Sequence, residues 1–220
     1  MDQFLYEHRH EGDVKDWKVI MTENQINLVN DYVASKINEK FKGNPIVIAS
    51  ILKGAIYFTV DLTRRLTIPH SLYFIEASSY KDETQHKLEL LSAIIPSKFE
   101  NRKVILIDEL YDNGLTLHLV KTKLLSEVPS LSPEDIFTCV LFKKNKESSY
   151  PLPDLVGIDL LPNVWLVGYG LDDNQTKRNW KHLFAVPKTS GSKTIDDGLF
   201  DNEDFYNQQL NNIQKYISKL

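Results

Sequence analysis

Two short apolar runs constrain the fold of this 220-residue chain more than any other feature. Residues 46–52 read IVIASIL, and residues 103–107 read KVILI. Neither alternates between apolar and polar positions. A strand with one wet face would alternate, so both runs are expected to be buried on two faces, as in a parallel sheet covered by helices on both sides. The intervening segments agree. Thr22-Glu23-Asn24-Gln25 has the form of a capping box, and Ile26, Val29, Val33 and Ile37 follow at helical spacing. Gly43 and Pro45 end that helix. Further helices are expected near 56–65 and 115–127, and further strands at 72–77, 88–94, 135–142, 155–158 and 164–167. The polar residues 78–87 read as a loop. The fold class is therefore α/β, a mostly parallel twisted sheet flanked by helices. In such sheets ligands bind at the carboxyl ends of the strands.

The second buried run continues into VILIDELYDNGLTL, residues 104–117. A strand ending near 107–108 would start Asp108 and Glu109 on opposite sides of the sheet. Gly114 allows a tight turn and a close backbone approach. The first turn of the following helix, with the Thr116 hydroxyl, offers N–H donors to a phosphate. The Walker pattern is absent. Two readings fit these residues: a βα turn whose acids cap a helix, or a seat for a phosphorylated sugar whose carboxylates take hydroxyls or a metal.

Composition excludes several classes. With 26 Lys+Arg against 30 Asp+Glu the net charge is -4, which disfavours a nucleic-acid partner. No apolar run reaches membrane-spanning length and the N-terminus lacks an apolar signal segment, so a soluble, cytoplasmic protein with no membrane partner is expected. The single Cys139 excludes an intrachain disulfide and lies in an apolar run as a core residue. Two units are expected: a domain over residues 1–186, and residues 187–220 as a linker with an amphipathic helix. Tyr206, Leu210, Ile213, Ile217 and Leu220 mark one apolar face of that helix, docked on its own domain or on another subunit.

An apolar strand, two acids, two spacers and D-N-G-x-T resemble the phosphoribosyl-diphosphate motif of type I phosphoribosyltransferases. The other segments narrow the resemblance to the hypoxanthine-guanine phosphoribosyltransferase family. They are VIMTENQI (19–26), ASILKGAIYF (49–58), SSY (78–80), VLFKK (140–144), PDLVGIDL (153–160) and WLVGYGLDDN (165–174). The resemblance implies a type I phosphoribosyltransferase fold with a small hood built from N- and C-terminal segments. It also implies transfer of a phosphoribosyl group from phosphoribosyl diphosphate to hypoxanthine or guanine, with Mg²⁺ and a homodimeric or homotetrameric assembly. Asp108 and Glu109 would hold the ribose and position Mg²⁺. Residues 112–116 (Asp112, Asn113, Gly114, Leu115, Thr116) would cradle the 5′-phosphate, and Asp112 would act as general base near N7. Lys53 and Gly54, in a loop whose peptide bond is often cis in this family, would bind pyrophosphate together with Arg178. Asp172 would serve a second Mg²⁺.

Lys143 would donate to O6 of the purine; by itself it also reads as a solvated strand end. Trp165 would stack on the base; by itself it also reads as core. Backbone groups of Leu166 and Asp172 would meet the N1 and C2 edge. Ser79 and Tyr80 would open a flap, or form an exposed hairpin tip. The order Asp108-Glu109 inverts the usual acid pair, and Asn113 stands where threonine is usual. Other expectations kept open are a phosphoribosyl-diphosphate-sensing regulator, an inactive scaffold, and an enzyme preferring xanthine.

Overall fold

The computed structural model describes residues 16–81, 86–187 and 199–220, with backbone alone at 78–81 and 86–89. A six-stranded sheet runs in the order β4-β3-β2-β5-β6-β7. Its strands are β2 (Ile46–Leu52), β3 (His70–Lys81), β4 (His86–Leu90), β5 (Lys103–Tyr111), β6 (Ile136–Lys144) and β7 (Leu155–Leu161). β3, β2, β5, β6 and β7 pair in parallel, and β4 returns antiparallel to β3.

The two apolar runs are central, as expected of strands without a wet face. Ile46 and Ile48 of β2, with Ile105 and Ile107 of β5, face α1 (Glu23–Lys40) and α2 (Ile56–Thr63), where Ile26, Val29, Val33, Phe58 and Leu62 complete one core layer. Val47, Ala49 and Ile51, with Val104 and Leu106, face the other way onto Leu117, Val120 and Leu124 of α3 (Leu115–Glu127). Alternate residues thus feed two different layers. Cys139 is fully buried, and burial pushes its thiol pKa upward.

The capping box forms: Thr22 accepts from the Gln25 backbone and the Gln25 side chain accepts from Thr22 N–H. A smaller antiparallel sheet, β1-β9-β8, joins β1 (Lys18–Met21), β9 (Leu183–Val186) and β8 (Trp165–Val167) into the hood. α4 (Glu203–Ile217) buries Ile213 and Ile217 in the layer shared with α1. This helix docks on its own domain, although Leu220, expected on its apolar face, is 40% exposed.

Two expectations change, and a third falls partly outside the described residues. Residues 78–87 are not a loop throughout, because β3 continues to Lys81 and β4 begins at His86; residues 82–85 lie outside the described set. Within the expected linker, residues 188–198 also lie outside it. Finally, β5 does not end near 107–108. It stays paired with β6 through Asp108↔Val140, Leu110↔Phe142 and Tyr111↔Lys143. Among the described residues no helix is long and apolar enough to cross a membrane.

Replacing Thr22 with Ala removes a side chain that satisfies a first-turn N–H of α1. A loss of about 1 kcal/mol in unfolding free energy is expected, read from the denaturant midpoint at unchanged slope.

Candidate active site

The site gathers at the carboxyl ends of β2 and β5 and at the turn that follows β8. Because β5 runs on to Tyr111, Asp108 and Glu109 are neighbours within a strand. Glu109 N–H nevertheless donates to Asp108 Oδ1 at 3.0 Å, which draws the Asp108 carboxylate toward its neighbour. Burial is the main cause that holds Asp108 well above the ordinary carboxylate range, and the Glu109 charge adds to it. Burial also raises Glu109, while the Asp108 side chain and the Arg178 guanidinium oppose that rise. Among the described residues, Glu109 Oε2 is buried without a hydrogen-bond partner. Desolvated carboxylates of this kind favour further opposite charge or hydrogen-bond donors beside them.

Glu109 lies against Gly54. A Cβ at Gly54 would fall 1.9 Å from Glu109 Oε1 and 2.4 Å from Oε2, so only glycine leaves the carboxylate where it is. The Leu52-Lys53 peptide bond just before Gly54 is cis, as the resemblance implied. Lys53 points its ammonium toward Glu76, 3.9 Å away. Gly170, at φ +104°, approaches from the hood; a Cβ there would fall 2.0 Å from the Gly54 carbonyl oxygen. Arg178 donates to the Gly170 carbonyl at 2.8 Å and pairs with Asp172 at 2.6 Å. Asp172 also accepts from the Gln175 N–H at 2.9 Å. Glycine is required at 170, where a backbone carbonyl occupies the space a side chain would need, while a side chain at 54 would displace the Glu109 carboxylate.

This hood turn is tied to the core through the intervening Tyr169. Its hydroxyl donates to Asp61 at 2.6 Å and accepts from buried Asn30 at 2.7 Å. Burial, with the Asp61 carboxylate beside it, pushes the Tyr169 pKa upward and keeps the phenol neutral.

On the other side, Gly114 holds the N-cap position of α3 at φ +85°, with no side-chain cap of its own. Asn113 Oδ1 accepts from Leu115 N–H at 3.0 Å. Thr116 follows in the first turn, partly buried. The residue that departs from the usual threonine thus bonds a first-turn donor itself. Tyr111 packs over Gly114 and its hydroxyl meets Ser148 Oγ at 2.5 Å and the Tyr150 carbonyl at 2.9 Å. Ser148 Oγ donates to the Asn113 carbonyl at 3.0 Å, so residues 148–150 brace the turn.

Asp112 is paired with lysines that the sequence did not single out. Lys144, buried, lies 3.5 Å from Oδ2, and Lys146 meets Oδ1. Lys143 turns elsewhere: its Nζ stands 3.4 Å from the Lys144 carbonyl oxygen. The β6–β7 register shifts between Phe142 and Lys144, which breaks the simple alternation that would have sorted these lysines. Trp165 is 51% exposed on the hood's edge strand, which removes the core reading, and Leu166 beside it is buried. Ser79 and Tyr80 sit in the arm of β3, paired with Leu88 and Lys87; their side chains are outside the described set.

Residues 16–174 match the family described as the phosphoribosyl transferase domain. A hypoxanthine-guanine phosphoribosyltransferase of Staphylococcus aureus (strain Mu50) is 31% identical over 174 residues, 78% of this chain and 93% of that protein. The chain belongs to the hypoxanthine-guanine phosphoribosyltransferase family. The hypoxanthine-guanine phosphoribosyltransferase of Mycobacterium bovis is 28% identical over 185 residues, 78% of this chain and 86% of that protein. Among solved structures, a hypoxanthine-guanine phosphoribosyltransferase of Bacillus anthracis superposes with TM-score 0.67 at 29% identity, over 77% of this chain and 97% of that one. The hypoxanthine phosphoribosyltransferase of Trypanosoma cruzi, in complex with the product IMP, gives TM-score 0.67 at 30% identity, over 77% and 94%.

Replacing Tyr169 with Phe leaves Asn30 and Asp61 short of a partner next to the Gly168–Gly170 turn. A stability loss of about 1–3 kcal/mol is expected in denaturant titration, the range for a hydrogen bond broken at a buried site.

Proposed function

We propose that this protein transfers the 5-phosphoribosyl group of phosphoribosyl diphosphate to hypoxanthine or guanine, forming IMP or GMP and pyrophosphate in purine salvage in the cytoplasm. The observation that carries the proposal is the desolvated Asp108–Glu109 pair seated on Gly54, beside the glycine-capped first turn of α3. Buried carboxylates, one of them with an oxygen that has no partner among the described residues, suit ribose hydroxyls and a hard divalent cation. The helix start beside them suits a phosphate.

Each element then has a role. Residues 112–116 seat the 5′-phosphate. Lys53, Gly54 and Arg178 take the pyrophosphate, the guanidinium contributing paired N–H donors. Exposed Trp165 offers a face for the purine, and backbone groups at Leu166 and Asp172 meet its edge. Ser79 and Tyr80, on the β3 arm, belong to a flap that excludes water. Mg²⁺ suits carboxylate oxygens of this kind: Asp108 and Glu109 would help position one ion, Asp172 would serve a second, and the metal would neutralise charge on the departing pyrophosphate. Purine N9 bonds to ribose C1 as the C1–oxygen bond to pyrophosphate breaks, with the electron pair leaving on pyrophosphate. The purine's proton passes to Asp112 through N7. A lysine at the end of β6 donates to O6. O6 accepts hydrogen bonds whereas the adenine amino group donates them, so this contact selects 6-oxopurines.

Lys143 is the residue that the family pattern assigns to O6. Lys144 is a second candidate, because its ammonium already lies beside Asp112. For the assembly we infer a homo-oligomer. Ile56, Tyr57 and Val60 of α2 are exposed, and Leu72 and Phe74 of β3 are exposed on the face that α2 covers. Such an apolar flank suits a second copy of the chain.

Offered Mg²⁺, phosphoribosyl diphosphate and one purine at a time, the protein should release pyrophosphate with hypoxanthine or guanine and not with adenine. Chelating the metal should stop it. Binding of phosphoribosyl diphosphate with no release for any purine would instead indicate a sensor, and release with xanthine alone would reassign the base. Asp112→Asn should lower kcat by roughly 10²-fold or more while sparing phosphoribosyl-diphosphate affinity. Unchanged turnover would remove Asp112 from the base role. Lys143→Ala and Lys144→Ala, compared for KM with guanine and with phosphoribosyl diphosphate, should raise only the guanine value in whichever variant has lost the O6 donor.

A further inference from the structure

The C-terminal helix α4 lies outside the matched residues 16–174, yet it is attached to the hood by specific contacts. Tyr206 donates its hydroxyl to the Val19 carbonyl of β1 at 2.7 Å. Glu203 pairs with Lys18 at 2.9 Å, and the Lys18 ammonium also stands 4.3 Å above the Tyr206 ring. At its other end the helix is fixed to the main domain. Ile213 and Ile217 are buried in the layer shared with α1, and Gln214 accepts from Gln25 of α1 at 2.9 Å.

The hood sheet carries that grip across to the purine platform. Lys18 is in register with Ala185 of β9, and Ala185 with Leu166 of β8; Val19 likewise leads through Phe184 to Val167. The tail therefore holds one edge strand of a three-stranded sheet whose opposite edge presents Trp165. The hood turn bearing Asp172 and Arg178 has a separate anchor, because Tyr169 ties it to Asn30 and Asp61. Two parts of the hood are thus held by two different devices.

We infer that α4 is a positioning strut that fixes the hood sheet carrying the Trp165 platform, and so controls binding of the purine base without controlling binding of phosphoribosyl diphosphate. This inference rests on the proposed purine transfer, but its structural half can be tested separately. Tyr206→Phe removes one hydroxyl from a partly exposed residue and keeps the ring. Amide hydrogen exchange followed by mass spectrometry should show β1, β9 and β8 exchanging about fivefold faster, the factor that losing one ordinary hydrogen bond corresponds to, with β5 unchanged. In the full-length enzyme the KM for hypoxanthine or guanine should rise by roughly the same factor, while the KM for phosphoribosyl diphosphate keeps its wild-type value. Ile213→Ala, which loosens the other end, should act in the same direction.

Unchanged exchange in β9 and β8 in both variants would overturn the strut. Equal rises in both KM values would overturn it too, because they would mark a general loss of order. Wild-type protein that transfers to no purine would contradict the proposed reaction, and the exchange data would still decide the strut.

Discussion

Much of this site depends on one contact, the Glu109 carboxylate lying flat against the Cα of Gly54. It joins the ends of two central strands, since β2 leads into Gly54 and β5 carries Glu109. It also keeps a pair of acids out of water. A buried carboxylate without a partner is costly, and burial accordingly raises the pKa of both acids. The fold retains this arrangement at the strand ends where an α/β sheet binds its ligands. Under the proposed function, a bound ligand that added positive charge or donors here would offset part of that cost.

The surrounding parts can be understood as supports for that contact. Gly170 brings the hood backbone onto the Gly54 carbonyl, and Arg178 and Asp172 hang from the same turn. Tyr111 and Ser148 hold the turn at Asn113 from the opposite side. The proposed seats for sugar phosphate, pyrophosphate and base thus rest on separately anchored surfaces, with β5 running between them.

Much of the fold was legible in the sequence, and the reasons are physical. The two-sided burial of β2 and β5 follows from their unbroken apolar runs. The α1 capping box and the start of α3 at Leu115 were readable because capping residues and Gly114 act locally. The hood strands β1 and β9 were missed. Each has four residues, too few for a periodicity to show, and each is defined by its pairing, β1 with β9 and β9 with β8 as well. The end of β5 was placed too early because acids look like a turn, whereas pairing with β6 carries them onward as strand.

Within the site, motif residues were legible by type and order, and their partners were not. The lysines beside Asp112 are Lys144 and Lys146, sorted by a register shift that no pattern in the sequence announces. The Gly54–Glu109 contact joins residues far apart in the chain. It can be tested without altering any charge. Gly54→Ala must push the Glu109 carboxylate from its seat, so calorimetric titration with phosphoribosyl diphosphate in the presence of Mg²⁺ should show affinity lower by about tenfold or more, the equivalent of one charge-assisted hydrogen bond. Wild-type affinity in a correctly folded Gly54→Ala protein would contradict the account.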